Sequence, residues 1–127
     1  MTQSDTPGVV TGKPLIESDQ VEGSAVYDAS GKFIGSVTRL MIDKMSGRIA
    51  YAVVSFDGFV GLGEAQHTVP WSKLSYDNGL GGYRTDVTEE QLQDAPIFYR
   101  NEGYHWSDRD QERELHDYWR APYYWPI

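Results

Sequence analysis

Three histidines, three closely spaced glycines and several carboxylate pairs are the residues of this chain that could do chemistry. The glycines Gly58, Gly61 and Gly63 lie in "SFDGFVGLGEAQHTVPW", Ser55 to Trp71. A dinucleotide-binding loop needs G-x-G-x-x-G between a strand and a helix. Here the spacing is reversed, G-x-x-G-x-G, and Pro70 forces the following segment to be extended. No Gly-Lys-Ser/Thr loop occurs either. The stretch therefore reads as turn and bulge glycines between two strands. His67 has Glu64 and Ser72 near it in sequence, but no hydrolase spacing surrounds it. His105 and His116 are eleven residues apart, too far for a helical ligand pair. The pairs Glu89–Glu90 and Asp108–Asp110 read as solvated surface. The residues alone point to no catalytic group, no metal and no cofactor.

The whole chain narrows the classes further. It has 127 residues, a formal net charge of −8 and no cysteine. One domain with short extensions fits that length. The acidic balance opposes direct nucleic-acid binding, which rests on Lys and Arg against phosphates. It also opposes an anionic membrane surface. The absence of cysteine excludes disulfides and zinc-thiolate sites and fits a cytoplasmic protein. The N-terminal segment has no signal-peptide pattern, and no apolar run approaches the roughly 20 residues of a transmembrane helix.

The elements that must position these residues are mostly strands. Residues 1–14 read as a flexible arm and 15–97 as the folded domain. A strand at Ser24–Tyr27 leads to a turn at Asp28–Gly31, and Phe33–Asp43 forms the next strand. Asp43–Arg48 is a hairpin turn, in which Asp43 caps turn amides and Arg48 pairs with it. Ile49–Phe56 follows as a strand. His67–Pro70, an extended piece at Trp71–Tyr76 and Tyr83–Val87 complete about six strands. Thr88 N-caps one short helix that Pro96 closes. Turns every 8–12 residues point to a mainly β fold, a small antiparallel barrel or sandwich.

The strand Ile49–Phe56 raises a question of cover. Ile49, Tyr51 and Val53 face one way, and Ala50, Ala52, Val54 and Phe56 the other. Both faces are apolar, so one faces the core and something else covers the second. Residues 98–127 form an extension that holds nine of the seventeen aromatics. A helix near 107–120 presents Leu115, Tyr118 and Trp119 as one stripe. Tyr123, Tyr124 and Trp125 follow as an aromatic strip. Two placements remain open: the extension folds back over its own sheet, or it reaches a second subunit or another protein.

Three ordered motifs resemble the PRC-barrel domain family. They are the "VYDASGKFIG" segment with Asp28, Gly31 and Gly35, and the "IDKMSGRIAY" hairpin with Asp43 and Gly47. The third is "GLGEAQHTVPW", with Gly61, Gly63, Pro70 and Trp71. The resemblance is to stand-alone bacterial members. It implies a small β-barrel that docks onto proteins and shares no catalytic residues. The expectation is a non-enzymatic, homo-oligomeric interaction module, with Tyr51, Val53, Phe56 and the extension's aromatics as interface candidates. Its alternatives are a ribosome-maturation adaptor that binds a basic ribosomal protein, and a small-ligand or proton-handling domain.

Overall fold

The computed structural model describes residues 14–59, 66–95 and 109–125. One turn of helix, α1 (Ser18–Val21), precedes β1 (Ala25–Tyr27), β2 (Phe33–Ile42), β3 (Ile49–Ser55) and β4 (Gln66–Pro70). After a 3₁₀ turn at Trp71–Lys73 come β5 (Ser75–Asp77), β6 (Gly82–Arg84), α2 (Glu89–Asp94) and α3 (Arg109–Trp119). The six strands form one sheet in the order β4-β3-β2-β1-β6-β5.

Local chemistry builds the meander β1 to β4. Asp28 accepts the Ser30 hydroxyl at 2.7 Å and the Ser30 and Lys32 amides, both at 2.9 Å, and Gly31 takes the left-handed φ of 91° that closes the turn. Asp43 accepts the Ser46 hydroxyl at 2.6 Å and the Met45 amide at 3.3 Å, with Gly47 at φ 77°. These bonds hold both carboxyls below their usual range. The expected Asp43–Arg48 ion pair is not formed among the described residues. Instead Arg48 uses its backbone carbonyl to accept the Asp43 amide at 2.8 Å. β2 then pairs with β3, and β3 with β4, both antiparallel.

The wholly antiparallel expectation needs correction. β6 lies parallel to β1, with Val26 opposite Tyr83. The chain leaves β4 at one edge of the sheet and re-enters at the other, so β6 arrives with the direction of β1. The segment Trp71–Tyr76, expected to be extended, begins as the 3₁₀ turn. That turn has a consequence for shape. A flat six-stranded sheet would separate its edge strands by about 24 Å. The five peptide steps from Pro70 to Ser75 span at most about 17 Å. The sheet must therefore curl toward itself. No β4–β5 ladder closes it among the described residues, so the architecture is a curled open sheet of mixed pairing.

The two short helices beside the sheet have clear causes. Thr88 caps α2 in a reciprocal capping box with Gln91. The added helix α1 buries Val21. The buried core joins Val26, Ile34, Val37, Ala52, Val54, Phe56 and Val69 with Leu92, Leu115 and Trp119.

α3 ends in a Schellman motif. The Ala121 amide donates to the His116 carbonyl at 2.9 Å, and the Arg120 amide to the Asp117 carbonyl at 3.3 Å. Arg120 occupies the left-handed position with φ 54°, where glycine is usual. Arg120→Gly should therefore stabilise the protein by about 0.5–1 kcal/mol, read as a raised urea midpoint. A lowered midpoint would contradict that reading of the cap.

Among the described residues no helix is long and apolar enough to cross a membrane.

Candidate functional site

The second face of β3 is covered by α3. In the β3–β4 register Val53 lies opposite Thr68 and Tyr51 opposite Pro70, so these four side chains share a face. α3 packs against β4 and meets this face through Tyr51. The strand expected to be apolar on both sides is buried from Ala50 to Val54. Its cover is the chain's own C-terminal helix.

α3 presents a mixed face rather than a purely apolar one. Glu112, Leu115, His116 and Trp119, spaced i, i+3, i+4, i+7, are its buried residues. Leu115 and Trp119 supply the apolar contact. Tyr118 is only half-buried, and its hydroxyl donates to the Gln91 carbonyl of α2.

Glu112 and His116 form a buried polar network with β3. The Tyr51 hydroxyl donates to Glu112 Oε1 at 2.7 Å and lies 2.9 Å from His116 Nε2. Tyr124 donates to the same Oε1 at 2.5 Å, and Arg109 reaches Oε2 at 3.2 Å. Each charged or phenolic group thus has a partner, as a buried carboxylate requires. Burial and the adjacent carboxylate push the Tyr51 phenol far above its ordinary range, so it stays protonated and donating. Its single proton goes to Glu112, so in the neutral ring His116 must donate from Nε2 to the Tyr51 oxygen. Burial holds the His116 ring below its ordinary pKa, although backbone groups of Ala121 and Pro122 act in the opposite sense.

The C-terminal strip completes the cluster. Tyr123 and Trp125 stack with centroids 4.6 Å apart, and Trp125 meets His116 edge-on at 5.2 Å. The Arg109 guanidinium lies 4.2 Å from the Trp125 ring centroid.

Beside this network a cleft of about 300 Å³ opens at the end of the β2–β3 hairpin. Met41, Ala50, Tyr51 and Tyr124 line it together with the charged Asp43, Lys44, Arg109 and Glu112. Ile42 also lines it and is 55% exposed, and Met45 in the adjoining turn is 94% exposed.

The expected site residues are placed as follows among the described residues. Tyr51, Val53, Phe56, Leu115 and Trp119 are buried within the chain. Tyr123, Tyr124 and Trp125 are half-buried, with Tyr124 on the cleft wall. Asp28, Gly31, Asp43 and Gly47 shape turns, and Gly35 sits where β2 and β3 touch. Pro70 is buried, and Trp71 packs edge-on against Tyr83 with centroids 5.3 Å apart. Gly61 and Gly63 lie outside the described residues, as do His105 and the aromatics from Phe98 to Trp106. His67 is buried on the face opposite α3, its ring 5.9 Å from that of Phe56, and burial lowers its pKa. No group of three metal-ligating side chains occurs among the described residues.

Sequence reasoning missed Glu112, His116 and Arg109. Their spacing was the available signal, since Arg109, Glu112 and His116 recur every three or four residues beside Leu115 and Trp119.

No curated protein matches the chain. Among solved structures, a 16S ribosomal RNA processing protein, RimM, from Pseudomonas aeruginosa is 22% identical, with a TM-score of 0.39. That match covers 61% of this chain and 47% of the RimM chain, so this chain spans about half of that protein. The PRC-barrel domain matches residues 14–92, which include β1 to β6 and most of α2. The chain therefore belongs to the PRC-barrel domain family.

Proposed function

We propose that this protein is a non-enzymatic interaction module that self-associates through the tip of its β2–β3 hairpin and acts in the cytoplasm. The observation that carries this reading is the exposed pair Ile42 and Met45 beside the aromatic cleft. The described aromatics of the extension are buried or half-buried within the chain, and the hairpin tip carries the most exposed large apolar side chain among the described residues, Met45 at 94%. Burying two such side chains contributes roughly 3–6 kcal/mol before the costs of association. At the cleft the Glu112 carboxylate already accepts from Tyr51, Tyr124 and Arg109, which supports docking rather than catalysis.

The test is absolute mass by light scattering, for the full chain and for an Ile42→Asp/Met45→Asp variant. A dimer or larger species that becomes monomeric in the variant is expected. A wild-type monomer at every concentration overturns self-association. The net charge of −8 favours a second reading, a basic protein partner such as a ribosomal protein. That reading predicts binding that weakens with salt and with the same double substitution.

A further inference from the structure

Among the described residues, His116 is the one group in the α3–sheet contact whose charge changes near neutral pH. It is 2% exposed, in the last turn of α3, between Tyr51 on one side and the strip Tyr123–Trp125 on the other. Nε2 is committed to Tyr51, while Nδ1 makes no well-formed hydrogen bond among the described residues. We propose that His116 is an acid-sensitive latch, whose protonation frees α3 and the C-terminal strip from β3 and β4 while the rest of the sheet stays folded.

The groups around the ring set the sign. From β3 comes the Tyr51 phenol, and from β4 the face supplies Thr68, which does not ionise. His67 points to the opposite face, by its register with Val54. The strip supplies the phenols of Tyr123 and Tyr124. Against the larger effect of burial, backbone groups of Ala121 and Pro122, and then Glu112 and Asp117 of α3, favour a charged ring. However, Arg109 already pairs with Glu112 at 3.2 Å, and Asp117 accepts the Tyr123 hydroxyl at 2.9 Å. A histidinium would thus be buried beside carboxylates already engaged, so desolvation dominates.

The folded ring titrates below its ordinary value near 6.5, and the released ring at that value. The released state then binds more protons in the interval between them. Attachment of α3 is at full strength above about pH 6.5 and weakens as pH falls through the folded value. Asp28, Asp43 and Asp77 act in a separate window, below their ordinary 3.8. Release is local because α3 has solvent on its outer side, so it opens without breaking the strand ladders.

The experiment is hydrogen exchange of the full chain from about pH 7.5 to about pH 5, corrected for intrinsic rates, with wild type and His116→Gln. Glutamine keeps a donor toward Tyr51 but does not titrate. In wild type, α3 amides should lose protection about tenfold or more across that range, while the β2–β3 hairpin stays within about twofold. In His116→Gln the pH dependence of α3 should vanish. Joint loss of protection by α3 and the hairpin overturns the proposal, as does an unchanged slope in the variant. Should the variant fail to fold, the His116 ring is titrated by NMR in wild type. A midpoint below the ordinary value that coincides with α3 release supports the latch, and any other midpoint overturns it.

Discussion

Gly35→Ala should lose about 3 kcal/mol or more of stability, the largest effect of an added methyl at any described glycine. A Cβ at this position would stand 2.3 Å from the Ser55 carbonyl oxygen and 2.9 Å from the Phe56 Cα. Both neighbours are backbone, so no side chain can swing aside. The strand must move, and it cannot move alone. Ser36 pairs with Ser55 on one side, while Ala25 pairs with Ser36 on the other. Displacing β2 there loosens β1, β2 and β3 together and opens the packing of Ile34 and Phe56. Gly47 provides the contrast. It has no atom within 4 Å of its would-be Cβ but holds φ 77°, so Gly47→Ala should cost only about 1 kcal/mol of strain. Urea unfolding checks both. Equal midpoints for the two variants would refute the close-approach argument.

Glu112→Ala should cost about 2–4 kcal/mol and detach α3 preferentially. The carboxylate is acceptor to two phenols and to Arg109 at once. Without it, the Tyr51 hydroxyl loses its carboxylate acceptor and must turn to His116 Nε2 at 2.9 Å, which accepts only when the ring proton moves to Nδ1. The Arg109 guanidinium is 43% exposed and can rehydrate, which keeps the loss below that of a fully buried ion pair. Cleavage of the segment joining α2 to α3 by a protease should quicken more than global unfolding. A protease rate that rises only in step with global unfolding would mean α3 is held by Leu115 and Trp119 alone.

The hairpins were legible because their causes are local. Asp28 with Gly31, and Asp43 with Gly47, write their turns within four or five residues, and the β-branched run after Arg48 admits little but a strand. The two apolar faces of Ile49–Phe56 correctly demanded a second cover. What covers it was open, since Leu115 and Trp119 would suit a partner as well as their own sheet. Hydrogen bonds linking Tyr51 to residues 61 and 65 positions away decide it. The parallel pairing of β1 with β6 was illegible for a related reason: it depends on where the chain re-enters the sheet, not on either strand's composition. Trp71–Lys73 reads as extended after Val69–Pro70, but the short path between sheet edges bends it into a 3₁₀ turn. Glu112 and His116 were hidden by their own charge, because a carboxylate in an acidic helix looks like solvated surface until its partners are known.

The central claim is that α3 belongs to the sheet through the Tyr51–Glu112 contact. A double-mutant cycle of Tyr51→Phe and Glu112→Ala, read by urea unfolding of the full chain, tests it most directly. A coupling energy of about 1–3 kcal/mol is expected for a buried, charge-assisted hydrogen bond. Strict additivity, within about 0.3 kcal/mol, would place the two residues apart in solution and contradict the account.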